Sequence, residues 1–115
     1  MDRPPIVIVL TTWPAQGDAG GLATTLVSER LAACVSILPE MESVYSWRGE
    51  LQRDRERQLL VKTSRARLDA LKKRLGELHP YEVPELLVVE VDDGSDAYLE
   101  WLQTSTNWAP APGQS

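Results

Sequence analysis

A chain of 115 residues, 43% of them hydrophobic, suits one globular domain with a real core and is too short for two. Its formal net charge of −5 comes without a basic stripe of interleaved aromatics, which argues against nucleic acid as a partner. One cysteine and one histidine cannot build a structural zinc site, and a lone thiol closes no internal disulfide.

The opening apolar run PIVIVL (5–10) is too short for a signal-peptide core or a membrane span, so a cytoplasmic protein with no membrane partner is expected. IVIVLTT (6–12) is β-branched and continuous, as in a strand covered on both faces, and WPAQGDAGG (13–21) is loop chemistry. Leu22, Leu26 and Ala33, flanked by Ala23, Val27 and Leu31, recur at helical spacing and predict an amphipathic helix over 22–32. VSILPEMESVYSW (35–47) is again strand-like. Pro39 marks a bulge or an edge in it, because proline donates nothing to a ladder. ELQRDRERQLLVKT (50–63) carries alternating charges that would also suit a helix. The β-rich LLVKT and the Gly49 turn favour a second strand in a hairpin.

Ser64 is placed to cap a helix whose stripe is Leu68, Leu71, Leu75 and Leu78, ending before Pro80. PELLVVEV (84–91) supplies a fourth strand. Ser95 then caps a short helix bearing Tyr98, Leu99, Trp101 and Leu102. The order β-α-β-β-α-β with an extra helix is that of an α+β ferredoxin-like sandwich over residues 1–107, with a proline-rich tail at 108–115. Thirteen extended residues from Val35 to Trp47 reach about 43 Å at about 3.3 Å each, against about 35 Å for a globule of this length. The hairpin should therefore overhang. An overhanging edge carrying Tyr45, Trp47 and Leu51 calls for pairing with other copies.

The chemistry-bearing residues are sparse. His79, directly before Pro80, is either a working imidazole or a helix-end residue favoured by the macrodipole. Cys34 sits in LAACVSIL (31–38), where an inert buried thiol is the commoner outcome, and no local motif pairs it with His79 as a nucleophile. DDGSD (92–96) lacks the remaining ligands of a calcium loop, and GDAGG (17–21) lacks the lysine of a phosphate loop. A borderline metal could draw on Cys34, His79 and carboxylates such as Glu56 or Glu85, although spacing alone does not assemble them.

ERLAACVSILP (29–39), VYSWRGEL (44–51), LLVKT (59–63), HPYEVPELL (79–87) and YLEWL (98–102) occur in an order and spacing that resemble the CutA divalent-cation tolerance family. The resemblance implies a ferredoxin-like subunit in a homotrimer similar in shape to PII signalling proteins, with hairpins pairing between subunits. It implies that the His-Pro-Tyr-x-x-Pro-Glu motif lines a cleft near the subunit boundary. His79, Tyr81 and Glu85 then become site residues, with Trp47, Glu56 and Lys62 as neighbours. In some members of the family the resemblance implies copper held by a thiol ending the first strand and two histidines before Pro-Tyr; here Thr11 and Leu78 occupy those places and only His79 remains. Cys34 matches the family's Ala-Ala-Cys position and completes, with His79, the expected donors for a divalent metal such as copper, which folding does not require. Two functions stand side by side. One is a trimeric response protein holding copper, another divalent cation or a small ligand in intersubunit clefts. The other is a small-molecule enzyme using His79 as acid or base with Tyr81 and Glu85.

Overall fold

The structure is a computed structural model and describes residues 5–107, so the expected tail at 108–115 lies outside the described residues. Its elements are β1 (Ile6–Pro14), α1 (Ala19–Ser28), β2 (Cys34–Trp47), β3 (Glu50–Ser64), a 3-10 turn (Arg65–Arg67), α2 (Leu68–Leu78), β4 (Leu87–Glu90) and α3 (Asp96–Thr106). The sheet order is β2-β3-β1-β4 and every pair is antiparallel. Each crossover helix therefore spans a strand that lies between the two it connects, which is the split βαβ arrangement expected from the element order.

The core follows from side-chain alternation along β1 and β3. Val7 and Val9, with Val61 opposite Val9 and Leu59 opposite Thr11, point to one face, where Leu22 and Leu26 of α1 and Leu68, Leu71 and Leu75 of α2 cover them. Fully burying each such leucine contributes about 1.5–3 kcal/mol. Ile6 points to the other face and meets Leu99 and Leu102 of α3 together with Ala33. The third helix thus seals only one end of that second face.

Three expected details differ. Helix α1 runs earlier than the predicted 22–32 because Asp18 caps it, its Oδ1 accepting from the Gly21 amide at 2.8 Å, which offsets two glycines in the first turn. It also ends earlier. Arg30 adopts φ 58°, and the amides of Leu31 and Ala32 both turn back to the Leu26 carbonyl, so the apolar residues after Ser28 are buried by a turn. Ser64 caps no helix. Its hydroxyl instead pairs with that of Thr106 at 2.9 Å, tying α3 to the end of β3.

The hairpin β2–β3 overhangs. Its turn has φ 51° at Arg48 and 81° at Gly49, the two positive values that a two-residue hairpin loop requires. β1 ends at Pro14, opposite Glu56, so the hairpin beyond that point has no third strand, and the molecule measures 50 × 34 × 23 Å. Among the described residues no helix is long and apolar enough to cross a membrane.

Candidate functional site

The site begins with the expected irregularity at Pro39. The β2–β3 register slips between Ile37 and Glu40: Ile37 pairs with Leu59 and Glu40 with Arg57, so two residues of β2 stand opposite one of β3. A bulge of this kind shifts side-chain parity by one. Before it, Cys34 and Ser36 share a face with Lys62 and Leu60; after it, Met41, Ser43, Tyr45 and Trp47 take that face, opposite Glu56, Asp54, Gln52 and Glu50. This is the face away from α1 and α2.

The chain leaving α2 completes the site. α2 stops at Leu78 because Pro80 drives the preceding residue to extended geometry, and His79 sits at φ −72°, ψ 133°. Residues 79–86 then run past the end of β1 before β4 starts. The His79 ring is fixed on both sides. The Tyr81 amide donates to Nδ1 at 3.1 Å, so Nδ1 carries the lone pair and Nε2–H donates to the Thr12 carbonyl at 2.8 Å. The ring lies edge-on to Trp13 at 4.7 Å and tilted to Tyr81 at 4.8 Å. Burial pushes its pKa below 6.5, outweighing the Thr12 contact and the attraction of Glu56, both of which favour the charged form.

Between this loop and the hairpin lies a cleft of about 580 Å³. Met41, Ser43, Val44, Tyr45 and Trp47 of β2 form one wall, Thr12, Glu56 and Gln58 the floor, and Tyr81, Glu82, Val83 and Glu85 the opposite wall. Glu56 is only 7% exposed, and its Oε2 accepts from the Tyr81 hydroxyl at 2.8 Å. Burial, and next that bond to a carboxylate, hold the Tyr81 phenol protonated well above the ordinary tyrosine range. Gln58 donates to Glu85 Oε2 at 2.8 Å and to the Thr11 carbonyl at 2.9 Å, holding Glu85 against the sheet. At the rim Arg48 bridges to both oxygens of Glu82 and lies 5.3 Å from the centre of the Trp47 ring.

Residues 7–105 match the profile of a family described as CutA1 divalent ion tolerance protein. The chain belongs to that family. A CutA protein of Thermus thermophilus is 46% identical over 99 residues, covering 86% of this chain and 96% of that protein. A chloroplastic CutA of Arabidopsis thaliana is 43% identical over 102 residues, and there the match covers 89% of this chain but only 56% of the relative's length. The solved structure of a PII-like protein CutA from Nostoc sp. PCC 7120, in apo form, superposes with a TM-score of 0.82 at 37% identity, covering 88% of this chain and 97% of that one. The family name describes a tolerance rather than a reaction.

Of the residues expected at a CutA-family site, Trp47, Glu56, Tyr81 and Glu85 meet at the cleft, and His79 stands behind Tyr81 as its support. Lys62 does not join them within this chain. It lies four residues further along β3 than Gln58, with its Nζ 3.4 Å from the Tyr98 hydroxyl. Cys34 pairs with Lys62 in the ladder and has its Sγ 3.9 Å from Ser36 Oγ, so it does not meet His79, whose contact Thr12 pairs with Gln58. Both imidazole nitrogens are already hydrogen-bonded to backbone, and among the described residues no three His, Cys, Asp or Glu side chains converge. The donor set of a single chain therefore does not fit a copper ion. For the same reason acid–base work by His79 would first have to break one of its two backbone bonds. Sequence reasoning does not bring Gln58 or Met41 to the site and names Tyr45 only as an edge residue of the hairpin; the period-2 run Met41, Ser43, Tyr45, Trp47 is the available signal.

Proposed function

We propose that this CutA-family protein acts as a cytoplasmic homotrimer in the response to divalent metal ions, with its clefts near subunit boundaries serving as ligand sites rather than catalytic centres. One observation carries the assembly. On the sheet face away from α1 and α2, Ile8, Leu10 and Leu60 are only half-buried, and Leu87 and Val89 of β4 beside them are 56% and 47% exposed. Tyr98 and Trp101 of α3 lie open as well. An apolar sheet face of this extent, next to an overhanging hairpin with unpaired edges, is what a monomer avoids and an oligomer covers. The resemblance to PII-shaped trimers supplies the number.

Copper, another divalent cation and a small molecule are the occupants considered for the cleft. The engaged histidine and the distant cysteine favour the small molecule; a metal site would need donors from neighbouring subunits. Sedimentation or light scattering tests the assembly and should give three times the 12.8 kDa chain mass. A stable monomer would overturn it. Fractionation of cells tests the location.

A further inference from the structure

The geometry points to an organic cation, a primary ammonium or guanidinium on a short apolar stem, as the ligand class of the cleft; this rests on reading the cleft as the ligand site. The hairpin treats the carboxylates on its two faces differently. On the face opposite the cleft, Glu40 and Glu42 are neutralised by Arg55 and Arg53 at 3.1 Å each. On the cleft face three carboxylates meet neutral donors, and among the described residues only Glu82 at the rim is paired with a cation, Arg48. Glu56 has the Tyr81 hydroxyl, Asp54 the Tyr45 hydroxyl and Glu85 the Gln58 amide. Among the described residues no lysine, arginine or histidine forms an ion pair with Glu56 or Glu85, and every charged side chain lining the cleft is a glutamate. Glu56 is more than nine-tenths buried and faces the cavity, so its charge is withdrawn from bulk water without a counter-charge. Such a carboxylate gains most from a cation that enters the cavity.

The walls select an organic cation over a bare ion. The rings of Tyr45, Trp47 and Tyr81 line the cavity, and aromatic faces attract alkylammonium and guanidinium groups. Met41 and Val83 offer an apolar surface for the stem. The chain itself displays this recognition at the rim. The Arg48 guanidinium lies 5.3 Å from the Trp47 ring centre while bonding Glu82 at 3.1 and 3.3 Å, a cation held between an aromatic ring and a carboxylate. Both partners of that pair are mostly exposed, so Arg48 can swing away or share Glu82 with an entering group. Among the described residues no side chain brings a cation to the inner pair, Glu56 and Glu85.

The test is an NMR titration of the Trp47 indole, assigned with Trp47→Phe, in the assembled full-length protein at low salt. The probes are n-butylguanidinium, n-butylammonium, n-butanol, pentanoate and copper(II). Saturable shifts with the two cations, at least about tenfold weaker with butanol or pentanoate, are expected. Glu56→Gln or, should that variant assemble poorly, Glu85→Gln should weaken cation binding about tenfold, and Glu42→Gln on the opposite face should leave it unchanged. Equal losses from Glu42→Gln and Glu56→Gln would mean general charge attraction and would overturn the proposal. Preferential binding of pentanoate, butanol or copper(II) at Trp47 would overturn it while leaving the cleft as a ligand site. A Trp47 indole that responds to none of the probes would count against both readings.

Discussion

Two tyrosines of this protein donate to carboxylates at different depths, and the contrast measures what burial adds to one hydrogen bond. Tyr81 bonds Glu56, which is 7% exposed, whereas the Tyr45–Asp54 pair lies open on the hairpin. Tyr81→Phe removes the only hydrogen-bond donor that Glu56 has among the described residues. A hydrogen bond to a charged group contributes about 1.5–3 kcal/mol net, and water entering from the open cleft replaces part of it. The lower end, about 1.5 kcal/mol or a tenfold shift in the folding equilibrium, is therefore expected. Tyr45→Phe should leave the denaturation midpoint nearly unchanged, because water already competes for that pair. The assay is denaturant unfolding followed by far-UV circular dichroism at one fixed protein concentration, since assembly ties stability to concentration. In a Glu56→Ala background, where no acceptor is left for the hydroxyl, most of the cost of Tyr81→Phe should vanish. Equal midpoint shifts for the two Tyr→Phe variants, or an undiminished cost in that background, would refute the reasoning.

Trp47→Ala on the overhanging hairpin should weaken assembly by light scattering, and Arg53→Ala, which removes an exposed pairing with Glu42, should do little. Leu71→Ala, at a fully buried position of α2, should cost about 2–5 kcal/mol in the same unfolding assay. Calorimetry with copper(II) should give at most weak binding that His79→Ala leaves unchanged, because both ring nitrogens are bonded to backbone; tight binding lost in His79→Ala would show that the ring gives up one of those bonds to a metal. The depressed pKa of His79 sets a direction for stability: the unfolded ring takes up a proton near 6.5 and the folded ring only at lower pH. Stability should then hold above that value and fall as pH drops through it, and His79→Gln should flatten this step relative to wild type. Parallel pH profiles for the two proteins would show that the ring titrates without restraint.

The fold was legible because its signals are strongly periodic. The leucine stripe of α2, the hairpin turn at Gly49 and the Ser95 cap all stand where the pattern put them, with Ser95 Oγ accepting from the Tyr98 amide at 3.3 Å. Local pattern was weaker where tertiary contacts decided the outcome. Nothing in residues 22–33 announces that Arg30 takes a left-handed conformation and turns Leu31 and Ala32 inward, so the stripe read as helix beyond its true end. Ser64 read as a cap because serine before a leucine stripe often is one, yet its hydroxyl is taken by Thr106, forty-two residues away.

The cleft was legible only in halves. The hairpin shows its alternation openly: Glu40 and Glu42 interleave with Met41, Ser43, Tyr45 and Trp47, and Arg53, Arg55 and Arg57 interleave with Asp54, Glu56 and Gln58. Period two separates each strand into a charge-paired set and an aromatic or acidic set, but it does not say which set shares a face with Thr12. One extra residue at Pro39 decides that. With an unbroken register the parity of Ser36 would carry on to Glu40 and Glu42, placing them beside Glu56 and sending Tyr45 and Trp47 to the far face. Carboxylates would then face carboxylates, which is electrostatically unfavourable, and the arginines would face the aromatic row. The bulge matches Glu40 and Glu42 to the arginine side and leaves Glu56 with Tyr81, so the same irregularity that relieves like-charge contact along the hairpin also creates an aromatic, acidic cavity.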